Sequence, residues 1–112
     1  MKIELKLSED TLMAANKVLR ELWEMPVSTD ERENVFRSIG YDLAQTFETR
    51  VKAQIRKANL FDNSKPLKMT LKFHEAWALE AILNDLTHQV ITNPYQLSIL
   101  RKLTNDLNQK LA

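Results

Sequence analysis

Two short segments impose a period of two on a chain that otherwise repeats every three to four residues. In Lys2-Ile3-Glu4-Leu5-Lys6-Leu7, and again from Leu67 through Lys68, Met69, Thr70, Leu71 and Lys72 to Phe73, apolar and polar residues alternate. Successive side chains of a strand point to opposite faces, so each segment reads as a strand with one apolar and one solvated face. A two-stranded ribbon is marginal in water on its own. The remainder of the chain must therefore cover its apolar side.

That remainder reads as helix. Ser8-Glu9-Asp10 offers a cap and two acids, and Leu12, Ala15, Leu19, Leu22 and Trp23 follow at helical spacing until Pro26. Trp23 falls within this stripe and is expected in the core. Ser28-Thr29-Asp30-Glu31 has the form of a capping box. Behind it Phe36, Ile39/Gly40, Leu43, Phe47, Val51, Ile55 and Ala58 form a stripe that no proline interrupts. One helix of about 30 residues, roughly 45 Å, is expected there. Gly40 serves either close helix packing or a hinge. Residues 59–66, with Asn, Asp, Ser and Pro, read as a loop. A third helix is expected from about Glu75 to Ile91. A fourth opens at Asn93-Pro94, with Asn as cap and Pro at the first helical position.

The expected fold is α+β and predominantly helical. Strand, helix, helix occurs twice in one domain spanning 1–112, with a possible internal repeat of 1–59 and 67–112. The segment from Lys2 to Glu9 aligns with that from Lys68 to Glu75. Under a pseudo-two-fold the strands pair antiparallel and four helices cover one face.

At 112 residues the chain can bury one core. Without cysteine it has neither a disulfide framework nor a thiolate metal site. The alternating N-terminus is not a signal peptide, and no apolar run reaches the ~20 residues that span a bilayer. A cytoplasmic location with no membrane partner is the expectation.

Catalytic signatures are missing. Gly40 is the single glycine, which excludes a glycine-rich phosphate loop. His74 and His88 lie about 21 Å apart along one expected helix and cannot share a metal within the chain. Asp85-x-x-His88 has a ligand-pair spacing, but the other apolar stripes offer no carboxylates to complete a site. Glu80 borders an apolar stripe, as a boundary residue with its head in water commonly does. No metal, cofactor, small-molecule ligand or catalytic residue is expected.

Two surfaces remain. On the third helix Ala76, Leu79, Leu83, Leu86 and Val90 face one way, whereas Trp77, Ala81, Asn84 and His88 form a second stripe. Either this helix is central in the monomer or its second stripe meets another subunit. The other surface is the ribbon's outer face: Lys2, Glu4, Lys6, Lys68, Thr70 and Lys72, four cations and one acid. The net charge of +1 hides an uneven spread, with seven basic residues and one acid between residues 50 and 72. Arg50 and Lys57 lie on one side of the long helix and Lys52 and Arg56 on the other, so that helix presents no single basic patch. A helix-turn-helix reading fails because Asp30, Glu31 and Glu33 would face phosphates.

The opening Ile-x-Leu-x-Leu-Ser-Glu-Asp, followed by a helix, resembles the ribbon-helix-helix class over the first 25 residues. That resemblance implies paired strands entering the major groove, although the second helix is longer than the class uses. The sequence thus leads to a small non-enzymatic protein acting by protein contact. It is expected to be a homodimer through its strand edge or through Trp77, Ala81, Asn84 and His88. The alternative is a DNA-binding ribbon contacting nucleic acid through Lys2, Lys6, Lys68, Thr70 and Lys72.

Overall fold

Strands β1 (Lys2–Leu7) and β2 (Leu67–Lys72) pair antiparallel into a two-stranded sheet. The computed structural model describes residues 2–26, 28–58 and 67–112, so the expected loop at 59–66 lies outside the described residues. Helices α1 (Glu9–Arg20) and α2 (Glu31–Ala58) follow β1, with a 3-10 turn at Glu21–Glu24 between them. Helices α3 (Phe73–Val90) and α4 (Pro94–Leu111) follow β2. Strand, helix, helix occurs twice, and the fold is α+β and mainly helical.

The register places Lys2 opposite Lys72, Glu4 opposite Thr70 and Lys6 opposite Lys68. An alignment that sets Lys2 on Lys68 and Lys6 on Lys72 maps this pairing onto itself, with Glu4–Thr70 at its centre. Helix α1 packs against α2, α3 and α4, and α3 packs against α1, α2 and α4. The two first helices thus lie centrally beneath the ribbon and the two second helices flank them. Ile3, Leu5, Leu7, Met69 and Leu71 are at most 4% exposed, and every outward-facing strand residue is solvated. Burying a side chain of this size contributes about 1.5–3 kcal/mol, which is what an isolated ribbon lacks.

Local chemistry sets the helix ends. The Ser8 hydroxyl accepts the Thr11 backbone N–H at 3.1 Å and caps α1. At the other end the turn tightens, and Trp23 departs from the expected core position: it is 59% exposed and stacks on Tyr41 with ring centroids 5.1 Å apart. With three residues per turn Leu22 takes the inward position, and its successor rotates about 120° away.

Helix α2 is capped by Asp30 rather than by Ser28. The Asp30 carboxylate accepts the Arg32 N–H at 2.9 Å. Ser28 is held outside the helix because its backbone N–H and carbonyl both bond the Asn34 carboxamide, at 2.9 and 2.7 Å, while its hydroxyl donates to Glu33 at 2.7 Å. Arg37 adds an ion pair to Glu33 at 2.6 Å and a hydrogen bond to the Pro26 carbonyl. Beyond Val51 the buried stripe continues through Gln54, and Ile55 turns outward, contrary to expectation. Steps of four and three residues from Phe47 reach 51 and 54, and the next position lies about 100° around the helix.

Phe73 opens α3 instead of closing β2. The Glu75 carboxylate accepts the Lys72 backbone N–H at 2.9 Å, which starts the helix two residues early. Asn93 caps α4 as expected, accepting the Tyr95 and Gln96 N–H groups. The Tyr95 hydroxyl donates to Asp10 at 2.8 Å, joining the starts of α4 and α1. That bond, reinforced by the negative charge of Asp10, raises the phenol pKa above its ordinary value.

Helix α2 runs unbroken through Gly40, so the glycine serves packing. A Cβ built there would sit 2.6 Å from a terminal methyl of Leu22 and 2.6 Å from one of Ile82. Both methyls end flexible side chains, so Gly40→Ala is expected to shift stability by no more than about 1 kcal/mol. Gly40→Val adds bulk the contact cannot absorb and is expected to cost about 1–3 kcal/mol in urea unfolding. Equal stabilities for the two variants would contradict this close approach.

Candidate nucleic-acid interface

The ribbon's outer face gathers all five residues that the sequence assigned to nucleic-acid contact. Lys2, Lys6, Lys68, Thr70 and Lys72 are exposed on one surface with Glu4. Six residues at about 3.4 Å each make a ribbon of roughly 20 Å, with strands about 4.8 Å apart.

Two hydrogen bonds define how closely the lysines face one another. The Lys110 ammonium donates to the Glu4 carbonyl at 2.6 Å, and the Lys72 N–H is taken by Glu75. Both backbone groups therefore point to the free edges of the ribbon and not across it. Residues alternate in this respect along a strand. Lys2–Lys72, Glu4–Thr70 and Lys6–Lys68 are accordingly the non-hydrogen-bonded pairs, with α-carbons about 4.5 Å apart and side chains at their closest. Two like-charge pairs occupy positions where an opposite charge would stabilise. Among the described residues none of the four lysines forms an ion pair.

The groove beside β1 extends this surface. It is lined by Lys2, Lys6, Phe73, Asp106 and Lys110, and the Lys110–Asp106 pair at 3.3 Å holds the ammonium over the strand edge. That contact satisfies one carbonyl of an otherwise open edge and ties the end of α4 to the ribbon. The sequence reading missed Lys110, and its separation from Glu4 in the chain left no local signal by which to find it.

The second stripe of α3 lies at the surface. Trp77 is 55% exposed, Asn84 and His88 are exposed and Ala81 is half-buried. The stripe does not form one continuous patch. Ala81 lines a cleft toward α2 with Arg37 and Asp85, whereas Asn84 and His88 line another toward α4. Trp77 rests against Phe73, with ring centroids 6.5 Å apart. Among the described residues no group of three or more His, Cys, Asp or Glu could hold a metal. No described helix is long and apolar enough to cross a membrane.

Like charges held this close predict a stability that rises when one is removed. Lys68→Thr is expected to raise unfolding free energy by about 0.5 kcal/mol at low salt. The gain should shrink in 1 M salt, where the Debye length is about 3 Å. A loss of stability, or a gain indifferent to salt, would remove electrostatic opposition as the property of this face.

Comparison of the chain with protein-family models, curated proteins and solved structures finds no match.

Proposed function

We propose that this chain is a non-enzymatic cytoplasmic protein that binds duplex DNA by laying the β1–β2 ribbon in the major groove. The observation that carries the reading is the pair of unneutralised lysine couples, Lys2–Lys72 and Lys6–Lys68, at the closest cross-strand positions. A solvated ribbon selected for stability alone gains by alternating charge across its strands, and this one forgoes that gain on an open face.

The major groove is about 12 Å wide and accepts a two-stranded ribbon. In this reading the four lysines lie toward the corners of the face and reach phosphates or the acceptor edge of guanine. Glu4 and Thr70 occupy the centre. A carboxylate accepts from the cytosine amino group, and a hydroxyl pairs with either type of group. Two-fold placement of the lysines favours a pseudo-palindromic site, and the unlike central pair favours an asymmetric centre.

Neutralising four phosphates gives a slope of log affinity against log salt of about −3.6, at 0.9 per phosphate. Fluorescence anisotropy with a labelled duplex measures it. Lys68→Ala combined with Lys72→Ala should flatten the slope by about 1.8. No binding at low salt, or an unchanged slope in the double variant, would falsify the reading.

A second reading, homodimerisation through α3, draws on a different observation: Trp77 leaves more than half of a large aromatic surface in water beside Phe73. Sedimentation then shows twice the chain mass of 13.1 kDa, and Trp77→Ala restores the monomer. A wild-type protein that sediments as a monomer at high concentration removes it.

A further inference from the structure

The outer face of β1 holds two mismatches that pairing with β2 leaves in place. Glu4, the one acid on the ribbon's outer face, stands opposite Thr70, and Lys6 stands opposite Lys68. Neither Glu4 nor Lys6 forms an ion pair among the described residues. An opposite charge across the strands would stabilise each of them.

The same two residues direct their backbone groups to the free edge of β1. The Glu4 carbonyl points there to meet the Lys110 ammonium at 2.6 Å, and Lys6, two residues on, repeats its direction. The Glu4 N–H and both backbone groups of Lys6 have no hydrogen-bond partner among the described residues. A groove of about 730 Å³ runs along this edge, with Ile3, Glu4 and Lys6 on one side and Asp106 and Lys110 of α4 on the other. The contact across it comes from a lysine whose side chain is 40% exposed. A backbone N–H from another strand can replace that ammonium, which keeps its ion pair with Asp106.

We propose that this edge pairs antiparallel with the same edge of a second copy of the chain, about a two-fold axis beside Leu5. In that register Glu4 stands opposite the partner's Lys6, and Lys6 stands opposite the partner's Glu4. Each of these pairs exchanges two backbone hydrogen bonds, which satisfies the Glu4 N–H and carbonyl and both groups of Lys6. The two mismatches become two opposite-charge pairs on the outer face. Ile3, Leu5 and Leu7 stay on the inner face, because this register keeps the alternation of both strands. The edge of β2 offers no such match. Its outward residues are Lys68, Thr70 and Lys72, none of them acidic, and the Lys72 N–H is already bonded to Glu75.

The product is a four-stranded sheet ordered β2, β1, β1, β2. Its outer strands lie about 14 Å apart, wider than a major groove of about 12 Å. Self-pairing and groove entry are therefore alternative states of one ribbon. The pairing does not rest on the DNA reading and is tested without nucleic acid.

Sedimentation equilibrium of the full chain measures the association, and amide hydrogen exchange locates it. The mass should rise with concentration toward twice 13.1 kDa, and the Glu4 and Lys6 amides should gain protection in step. Glu4→Lys and Lys6→Glu should each weaken association roughly tenfold, because each turns both cross-chain pairs into like charges. An equimolar mixture of these two variants should restore it, since every cross-chain pair is then a lysine against a glutamate. Trp77→Ala should leave it unchanged. A wild-type chain that stays monomeric at millimolar concentration overturns the proposal. So does a dimer whose Glu4 and Lys6 amides gain no protection, one lost in Trp77→Ala, or a mixture that associates no more tightly than either variant alone.

Discussion

The molecule depends on the pairing of two strands that are far apart in the chain. On one face β1 buries three apolar side chains and β2 buries two beside a half-buried Leu67, and neither strand can satisfy its backbone without the other. Once joined, they present a single apolar surface that α1 and α3 cover. Those helices in turn offer their remaining apolar stripes to α2 and α4. The buried side chains form one core cluster that draws on both strands and all four helices. The close contact of Gly40 with Leu22 and Ile82, and the bond from Tyr95 to Asp10, belong to this arrangement of central and flanking helices.

The two faces of the ribbon follow opposite rules. Inside, apolar burial decides the register, because a slip by one residue would turn Lys2, Lys6, Lys68 and Lys72 into the core. Outside, the same register forces lysine against lysine. The interior gain is of the order of kilocalories per side chain, whereas like-charge opposition across a solvated pair amounts to tenths. The fold therefore tolerates the outer face with little loss of stability. That imbalance leaves an exposed strand face free to carry a charge pattern suited to a polyanion.

Polar groups below the surface show a similar tension. Asn16 donates to Glu48 at 3.0 Å between α1 and α2, while its own carbonyl oxygen has no partner among the described residues. Glu48 also lies 3.8 Å from Arg20. This group closes locally around a charged partner. The Thr87 hydroxyl, buried in α3, has no partner among the described residues.

The sequence alone determined the strand–helix–helix order, the period-two faces and the long helix through Gly40, because burial on one side leaves a periodic trace. It also placed the five ribbon residues on one face, since alternation assigns a side before any partner is known. Positions decided by contacts between distant segments were not legible. Trp23 left its expected core position when a 3-10 turn met Tyr41, and Ser28 yielded the cap of α2 to Asp30 once Asn34 held it. The reach of Lys110 to Glu4 and the direct opposition of the lysines are properties of the packed chain. Periodicity records which face of an element is buried. It carries no record of which residue of another element will stand opposite, and only the tertiary structure decides that.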